Sequence, residues 1–166
     1  ADTLQALNTP EAFIGIESAN DALLQQAKKS YRVKDIEQAL DIFKNYDFKL
    51  HLPFLYGLPG ETNTSAENTY QFATQAAEQH PTSKVIASIP LPLPGSELFT
   101  TMQQDEQVRK HYAGDLDNDD NFNYQALVKL QLERYTTVTY EAMVEKVEKT
   151  RQLTQEGSRT GFEHNR

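Results

Sequence analysis

One stretch of this sequence, residues 48–61, constrains the fold more than any other. It begins with an apolar run rich in aromatic and branched residues, Phe48–Tyr56, which is typical of a buried strand. The run ends abruptly at the segment Gly-Leu-Pro-Gly-Glu, residues 57–61, and a helical pattern follows. A buried strand that leads through a glycine-rich turn into a helix N-terminus is where α/β proteins bind ligands, although plain tight strand–helix connections share the pattern.

Two shorter apolar segments, Phe13–Ile16 and Lys84–Ile89, are the other predicted strands. Helical patterns occur before, between and after the three strands: Asp2–Leu7, Asp21–Lys29, Lys34–Tyr46, Ser65–Gln79 and Ser96–Val108. Strands that alternate with helices predict a parallel sheet with crossover helices, either open or part of a barrel. Pro53 interrupts the central strand, and because proline cannot donate a ladder hydrogen bond we expect a sheet edge, a bulge or a kink there.

The composition changes after Tyr112, which divides the chain into an α/β part, residues 1–112, and a helical extension, residues 113–166. The extension opens with an acidic loop, residues 114–121, which lacks the glycine and the distal glutamate of an EF-hand. A solvated loop is therefore favoured over a calcium site. Two helical patterns and a mobile tail follow: Asn123–Thr136, Tyr140–Gln155 and residues 158–166 beyond a helix stop at Gly157.

Charge and cysteine content exclude several classes of function. The formal net charge of −8 over 166 residues argues against a nucleic-acid binder that relies on a basic surface. The chain has no cysteine, so it forms no disulfide and supplies no thiolate ligand to zinc or to an iron–sulfur cluster. No apolar run approaches the ~20 residues of a membrane span. We therefore expect a cytoplasmic protein that does not bind membranes.

Polar side chains follow two of the predicted strands. Glu17 and Ser18 come directly after the first, and a carboxylate beside a hydroxyl can bind the two hydroxyls of a ribose. The alternative is an N-capping turn in which Ser18 or Asn20 caps the next helix. Glu61 follows the central strand, either as an acceptor for a ligand or as a first-turn carboxylate facing the helix dipole. The residues alone leave both pairs of alternatives open.

Taken in order, the three strand ends resemble strands four, five and six of the radical S-adenosylmethionine (SAM) superfamily core. The segments that carry the resemblance are Ile14-Gly15-Ile16-Glu17-Ser18, Phe54-Leu55-Tyr56-Gly57-Leu58-Pro59-Gly60-Glu61-Thr62 and Pro92-Leu93-Pro94-Gly95-Ser96-Glu97-Leu98-Phe99. The similarity is greatest to the group of Fe-S oxidoreductases, many of which carry an N-terminal cobalamin-binding domain. It extends over Phe13–Phe99.

The resemblance implies a fold, a set of cofactors and a set of contacts. The fold would be the second half of a (β/α)6 partial TIM-like barrel, followed by a helical C-terminal appendix. In that superfamily a reduced [4Fe-4S] cluster cleaves SAM to a radical that abstracts hydrogen from the substrate, and some members also use cobalamin. The implied SAM contacts are Glu17 and Ser18 to the ribose, Leu55, Gly57 and Leu58 against the adenine, and the strand-six exit, Leu91 and Leu93, through backbone atoms.

The sequence also departs from the superfamily pattern. The cluster motif, C-x3-C-x2-C, belongs to the first half of the barrel and is absent here. Pro53 replaces the first glycine of the strand-five motif, and Glu61 falls one residue late. The resemblance therefore implies a fragment that is inactive alone and whose partner is the missing N-terminal half of the same protein. A homodimer through the exposed sheet edge is a further option, and an autonomous α/β ligand-binding or interaction module is the alternative. The substrate is not specified.

Overall fold

A computed structural model of the chain describes residues 1–111 and 124–160. Strands are separated by one or two helices through the first hundred residues, and the described residues after them form helices and their connections. In chain order the elements are α1 (Asp2–Ala6), β1 (Glu11–Phe13), α2 (Asp21–Gln26), α3 (Val33–Phe43), β2 (Lys49–Leu55), α4 (Asn63–Gln79), β3 (Lys84–Ser88), α5 (Glu97–Gln104), α6 (Glu106–His111), α7 (Tyr124–Tyr135) and α8 (Tyr140–Thr160).

The three strands form one parallel sheet in the order β1-β2-β3. Phe13 lies opposite His51 on β2, and His51 lies opposite Lys84 on β3. The prediction of an α/β fold with three parallel strands is thus confirmed. In the described part of the chain β1 is an edge strand and β2 is the middle one.

Pro53 explains why the first strand differs from its prediction. We expected Phe13–Ile16, whereas β1 covers Glu11–Phe13 and pairing resumes only at an isolated bridge between Glu17 and Phe54. Ile14 donates its N–H to the carbonyl of His51 at 3.0 Å, so the next rung would need an N–H at Pro53, which proline lacks. A bulge follows, as one of the three predicted options: Ile16 and Glu17 both donate N–H groups to the Pro53 carbonyl, at 3.2 and 3.0 Å.

The two faces of β2 differ in how well they are covered. Leu50, Leu52, Phe54 and Tyr56 alternate along the strand, and all four are buried in the main hydrophobic core. On the opposite face Pro53 and Leu55 are only half-buried. Phe13, on the same face of the neighbouring strand β1, is 70% exposed and stacks on His51. One face therefore packs against helices and the other is incompletely covered.

Helix starts follow the sequence signals, whereas some helix ends do not. Asn20, Thr62 and Ser96 cap the N-termini of α2, α4 and α5 through their side-chain oxygens. The single helix expected over Ser96–Val108 is two helices, because Asp105 leaves helical geometry and its carboxylate accepts the N–H of Gln107 at 3.0 Å. α8 continues to Thr160, beyond the predicted stop at Gly157.

Helix α8 packs along β3 and closes that side of the sheet. Arg151 donates its Nε–H to the carbonyl of Ala87 at 2.7 Å, and the N–H of Val85 donates to Thr154 Oγ1 at 3.3 Å. The acidic loop, residues 114–121, and residues 161–166 of the predicted mobile tail lie outside the described residues, whereas the first three residues of that tail, 158–160, belong to α8. No helix in the described ranges combines the length and apolarity needed to cross a bilayer.

Candidate functional site

The candidate site begins at the bulge beyond the C-terminal end of β1. Glu17 has a φ of 63°, in the left-handed region that residues with a side chain seldom adopt. Its carbonyl accepts the N–H of Leu55 at 2.8 Å. Strained backbone positions and bulges often orient functional side chains. The left-handed backbone of Glu17 at this bulge therefore marks it as a candidate functional residue at this edge of the sheet. The structure thus brings together two of the predicted contact residues, Glu17 and Leu55.

The Glu17 carboxylate is held by a lysine that no sequence motif marks. Lys29 Nζ lies 2.8 Å from Glu17 Oε1, and the two side chains are 33% and 13% exposed. The hydrogen bond to Glu17 raises the pKa of Lys29. Lys29 lies in the connection between α2 and α3, where it is indistinguishable in sequence from an ordinary turn residue. The ion pair remains open to solvent on one side.

Ser18 points away from this edge. Its side chain is fully buried, and its Oγ lies 3.3 Å from Thr69 Oγ1 on α4. The same threonine oxygen accepts the N–H of Ala19 at 3.1 Å. The hydroxyl of Ser18 is therefore engaged inside the protein, and a ligand at the sheet edge meets Glu17 without it. Asn20, and not Ser18, caps α2.

Helix α7 covers the turn at the end of β2. Gly57 is buried, with a φ of 91°, and a Cβ built there would collide with Leu132. The carbonyl of Gly57 accepts from Gln131 Nε2 at 3.1 Å. Leu58 is also buried. Gly57 therefore lies beneath α7, and Leu58 is buried next to it in the chain.

Glu61 holds the turn after β2, a role that differs from both predicted ones, which were a ligand acceptor and a first-turn carboxylate facing the helix dipole. Its carboxylate is fully buried and accepts the N–H of Gly57 through Oε2, which closes the turn. Oε1 has no hydrogen-bond partner among the described residues. Burial raises the pKa of Glu61 to about 7, against the opposing effect of the N–H groups of Gly57 and Leu58. A buried carboxyl whose pKa is raised by burial therefore holds this turn.

Leu91 and Leu93, which follow β3, are 49% and 48% exposed. Leu91 contributes to a cleft of about 280 Å³ between the exit of β3 and helices α7 and α8, with Val128 and Val147 on its walls and Arg151 at one side. These leucines keep the accessibility that a ligand contact requires. The polar groups around the cleft come from the appendix.

The opposite end of the uncovered face carries a second polar group that the sequence did not indicate. His51 Nε2 lies 2.8 Å from Glu11 Oε2, and Lys49 Nζ lies 2.9 Å from Glu11 Oε1. The hydrogen bonds from Lys49 and His51 lower the pKa of Glu11. The alternation of strand residues and the β1–β2 register bring these side chains together, but the register is not readable from the sequence.

Comparison with known proteins adds one distant relative. No protein-family profile matches the chain. An uncharacterized protein of Methanocaldococcus jannaschii is 31% identical to it over 93 residues, which is 56% of this chain. The match covers 18% of that protein, so the chain spans less than a fifth of the length of this relative.

Proposed function

We propose that this chain is the C-terminal half of a radical SAM barrel and that it supplies the nucleoside side of the SAM site. The observation that carries the proposal is the hydrogen bond from the N–H of Leu55 to the carbonyl of Glu17, which brings the two residues together at the carboxyl ends of two parallel strands. Ligands of parallel α/β folds bind at this edge. A carboxylate accepts hydrogen bonds from two vicinal hydroxyls, and an apolar neighbour accommodates a base.

The proposed contacts are reduced relative to the superfamily pattern. Glu17 would accept from the ribose, Leu55 would lie against the adenine, and Leu91 and Leu93 would contact the adenine through backbone atoms. Ser18 is left out because its hydroxyl is bound to Thr69, Gly57 because α7 covers it, and Leu58 because its side chain is buried. These residues fit a nucleoside in part. The chain has no cysteine with which to bind a cluster.

The missing half of the barrel would pair with β1. This strand lies at the edge of the described sheet, and its Phe13 is 70% exposed on the uncovered face. A preceding parallel strand of the parent protein would continue the sheet and cover that face. The parent would be an oxidoreductase or transferase that supplies the [4Fe-4S] ligands, with a cobalamin-binding domain as an additional option.

The first test is to read the parent open reading frame upstream of residue 1. A C-x3-C-x2-C motif within about a hundred codons is expected. A start codon close to Asp2, without that motif, would contradict the radical SAM assignment. Anaerobic reconstitution of the present chain with iron and sulfide should give no cluster absorbance, because ligation lies in the other half.

The second test is calorimetry of SAM binding to the parent. Glu17→Ala is expected to weaken binding by ~1–3 kcal/mol, since it leaves ligand hydroxyls without their acceptor. Glu11→Ala is the matched control, because it removes a carboxylate from the opposite end of the same strand. Equal SAM affinity of Glu17→Ala and the wild type would refute the ribose contact.

The second candidate function is an autonomous α/β ligand-binding or interaction module. The observation that favours it is the seal that α8 makes along β3 through Arg151 and Thr154. A self-contained module should be monomeric and cooperatively folded at micromolar concentration. A fragment should dimerise through β1 or aggregate, which light scattering distinguishes.

A further inference from the structure

Three polar side chains meet above Gly15 at the end of β1. A Cβ built on Gly15 would lie 3.2 Å from Glu17 Oε1 and 3.6 Å from the hydroxyl oxygen of Tyr31. Lys29 Nζ contacts the same glutamate oxygen at 2.8 Å. The absence of a side chain at Gly15 therefore makes room for a cluster drawn from the segment that follows β1 and from the α2–α3 connection.

The phenol of Tyr31 is the unexplained member of this cluster. Its hydroxyl oxygen is buried and has no hydrogen-bond partner among the described residues. The charge of the nearby Lys29 ammonium lowers the pKa of this hydroxyl, against the larger effect of burial. A buried hydroxyl without a partner costs free energy, so such groups are usually satisfied by protein, water or ligand. Burial raises the pKa of Tyr31, which keeps the hydroxyl protonated and able to donate.

Lys29, unlike Tyr31, has a partner in the cluster, which is the carboxylate of Glu17. Its ammonium binds Oε1 of Glu17, which fixes the carboxylate beside Tyr31 and balances its charge. Oε1 is the Glu17 oxygen for which the structure gives a side-chain partner. Oε1 of Glu17 and the phenol oxygen of Tyr31 both lie beside Gly15, so a carboxylate acceptor and a hydroxyl donor are close together there.

We infer that Tyr31 is a specificity-determining contact for a hydroxyl of the ligand that Glu17 binds, and that Lys29 is the residue that positions Glu17. The inference rests on the proposed function, because it takes the ligand to be a nucleoside. One sugar hydroxyl donates to Glu17 and accepts from Tyr31. An analogue without that hydroxyl leaves both protein groups unpaired, so Tyr31 makes the site select ribose over deoxyribose.

The test compares ligands as well as variants in the parent protein. SAM, S-adenosylhomocysteine and the 2′-deoxy and 3′-deoxy forms of S-adenosylhomocysteine are titrated by calorimetry. In Tyr31→Phe the ligands with an intact ribose should bind roughly tenfold more weakly than to the wild type. The deoxy form that lacks the hydroxyl contacted by Tyr31 should bind the variant and the wild type equally. Tyr46→Phe is the matched control, because the Tyr46 hydroxyl bonds exposed Asp2 elsewhere.

Lys29 is tested by rescue. Lys29→Met should weaken ribose ligands several-fold, Lys29→Arg should restore most of the affinity, and Lys29→Met should have little effect once Glu17 is already alanine. Thermal unfolding of each variant checks that the loss is not one of folding.

The failures of the two proposals are distinguishable. Should Tyr31→Phe weaken ribose and both deoxy ligands equally, or weaken none, the Tyr31 contact is overturned while a loss in Glu17→Ala upholds the SAM site. Should Lys29→Arg bind no better than Lys29→Met, the positioning role is overturned. If wild-type parent binds no SAM, or Glu17→Ala binds as well as wild type, the proposed function itself fails and the inference fails with it.

Discussion

Gln131 on α7 donates its side-chain N–H to the carbonyl of Gly57 across 3.1 Å, and both residues are buried. Two backbone bonds reinforce this link: the N–H of Gly60 donates to the carbonyl of Tyr135 at 2.7 Å, and the N–H of Thr137 donates to that of Glu61 at 3.0 Å. The turn that ends β2 is thus bound to the helical appendix by paired polar groups. The α/β part and the appendix therefore share one packed region.

Replacing Gly57 tests how tightly α7 covers this turn. Gly57 and Gly95 both have left-handed backbone, with φ of 91° and 84°, but only Gly57 has a neighbour, Leu132, where a Cβ would lie. Gly95→Ala should cost about 1 kcal/mol of unfolding free energy from backbone strain alone. Gly57→Ala should cost about 3 kcal/mol, because the collision adds to the strain. Urea unfolding gives both values.

The double variant Gly57→Ala with Leu132→Ala isolates the collision. In the Leu132→Ala background the added cost of Gly57→Ala should fall most of the way to that of Gly95→Ala, with a remainder because Ile89 Cγ2 would lie 3.3 Å from the added methyl group. Equal costs of the two glycine substitutions in the wild-type background would show that α7 does not press on the turn.

Glu61 makes stability depend on pH. Its folded pKa of about 7 lies above the ordinary value of 4.5, so the folded state keeps a proton that the unfolded state has already lost. The stabilisation is present below about pH 4.5 and is lost as pH rises through 7, by up to about 3 kcal/mol. Glu61→Gln mimics the protonated acid. The free energy of unfolding of wild type minus that of Glu61→Gln should therefore fall between pH 5 and 8.

Exposed Glu141 in the first turn of α8 offers the control for this titration. Glu141→Gln changes the net charge equally and should leave the wild-type pH profile in place. Denaturation series at half-unit pH intervals supply the curves. A difference curve for Glu61→Gln that is flat or rises with pH would mean that the carboxyl is charged in the folded protein.

Local sequence signals predicted the parallel sheet and most helix starts. Periodicity located the central strand to within a residue at each end, and Asn20, Thr62 and Ser96 are side-chain caps of the kind that polar residues before an apolar run indicate. These features depend on neighbours in the chain. That is why they could be predicted before any tertiary contact was known.

The site was less predictable because its contacts join distant segments. Ser18 meets Thr69 across 51 residues, and Gln131 meets Gly57 across 74. Which side Ser18 faces depends on the bulge at Pro53, whose existence was one of three open options. The same bulge turns Glu17 toward Lys29. A sequence motif indicates the edge of a sheet, but not which of two adjacent polar side chains reaches it.

The contact between the buried hydroxyls of Ser18 and Thr69 can be used to test whether Glu17 reaches the site while Ser18 faces the interior. Thr69→Val should cost ~1–3 kcal/mol, because it leaves both Ser18 Oγ and the N–H of Ala19 unpaired. Ser18→Ala should cost less, since Thr69 keeps Ala19 as a partner. Chemical denaturation measures both. SAM affinity of the parent should be unchanged by Ser18→Ala, and a loss as large as that of Glu17→Ala would return Ser18 to the site.

The hydrogen bonds of Arg151 and Thr154 on α8 to the backbone of β3 lead to a prediction about self-association of the chain. Arg151→Met combined with Thr154→Val removes the groups that satisfy Ala87 and Val85 at the sheet margin. Unpaired strand groups are templates for pairing with another chain, so the variant should lose about 2 kcal/mol and self-associate as concentration rises. Lys149→Met, which removes an exposed ion pair with Glu145 on the same helix, is the control and should stay like wild type.

Light scattering after size-exclusion chromatography separates this new association from one through β1. Phe13 is exposed at the margin of β1, so Phe13→Lys should disrupt any dimer of the wild-type chain without affecting self-association of the Arg151/Thr154 variant. Each margin of the sheet would then be tested by its own substitution, since β1 and β3 lie on opposite sides of β2. Unchanged mass of the Arg151/Thr154 variant at all concentrations would mean that packing of α8, and not its polar contacts, protects β3.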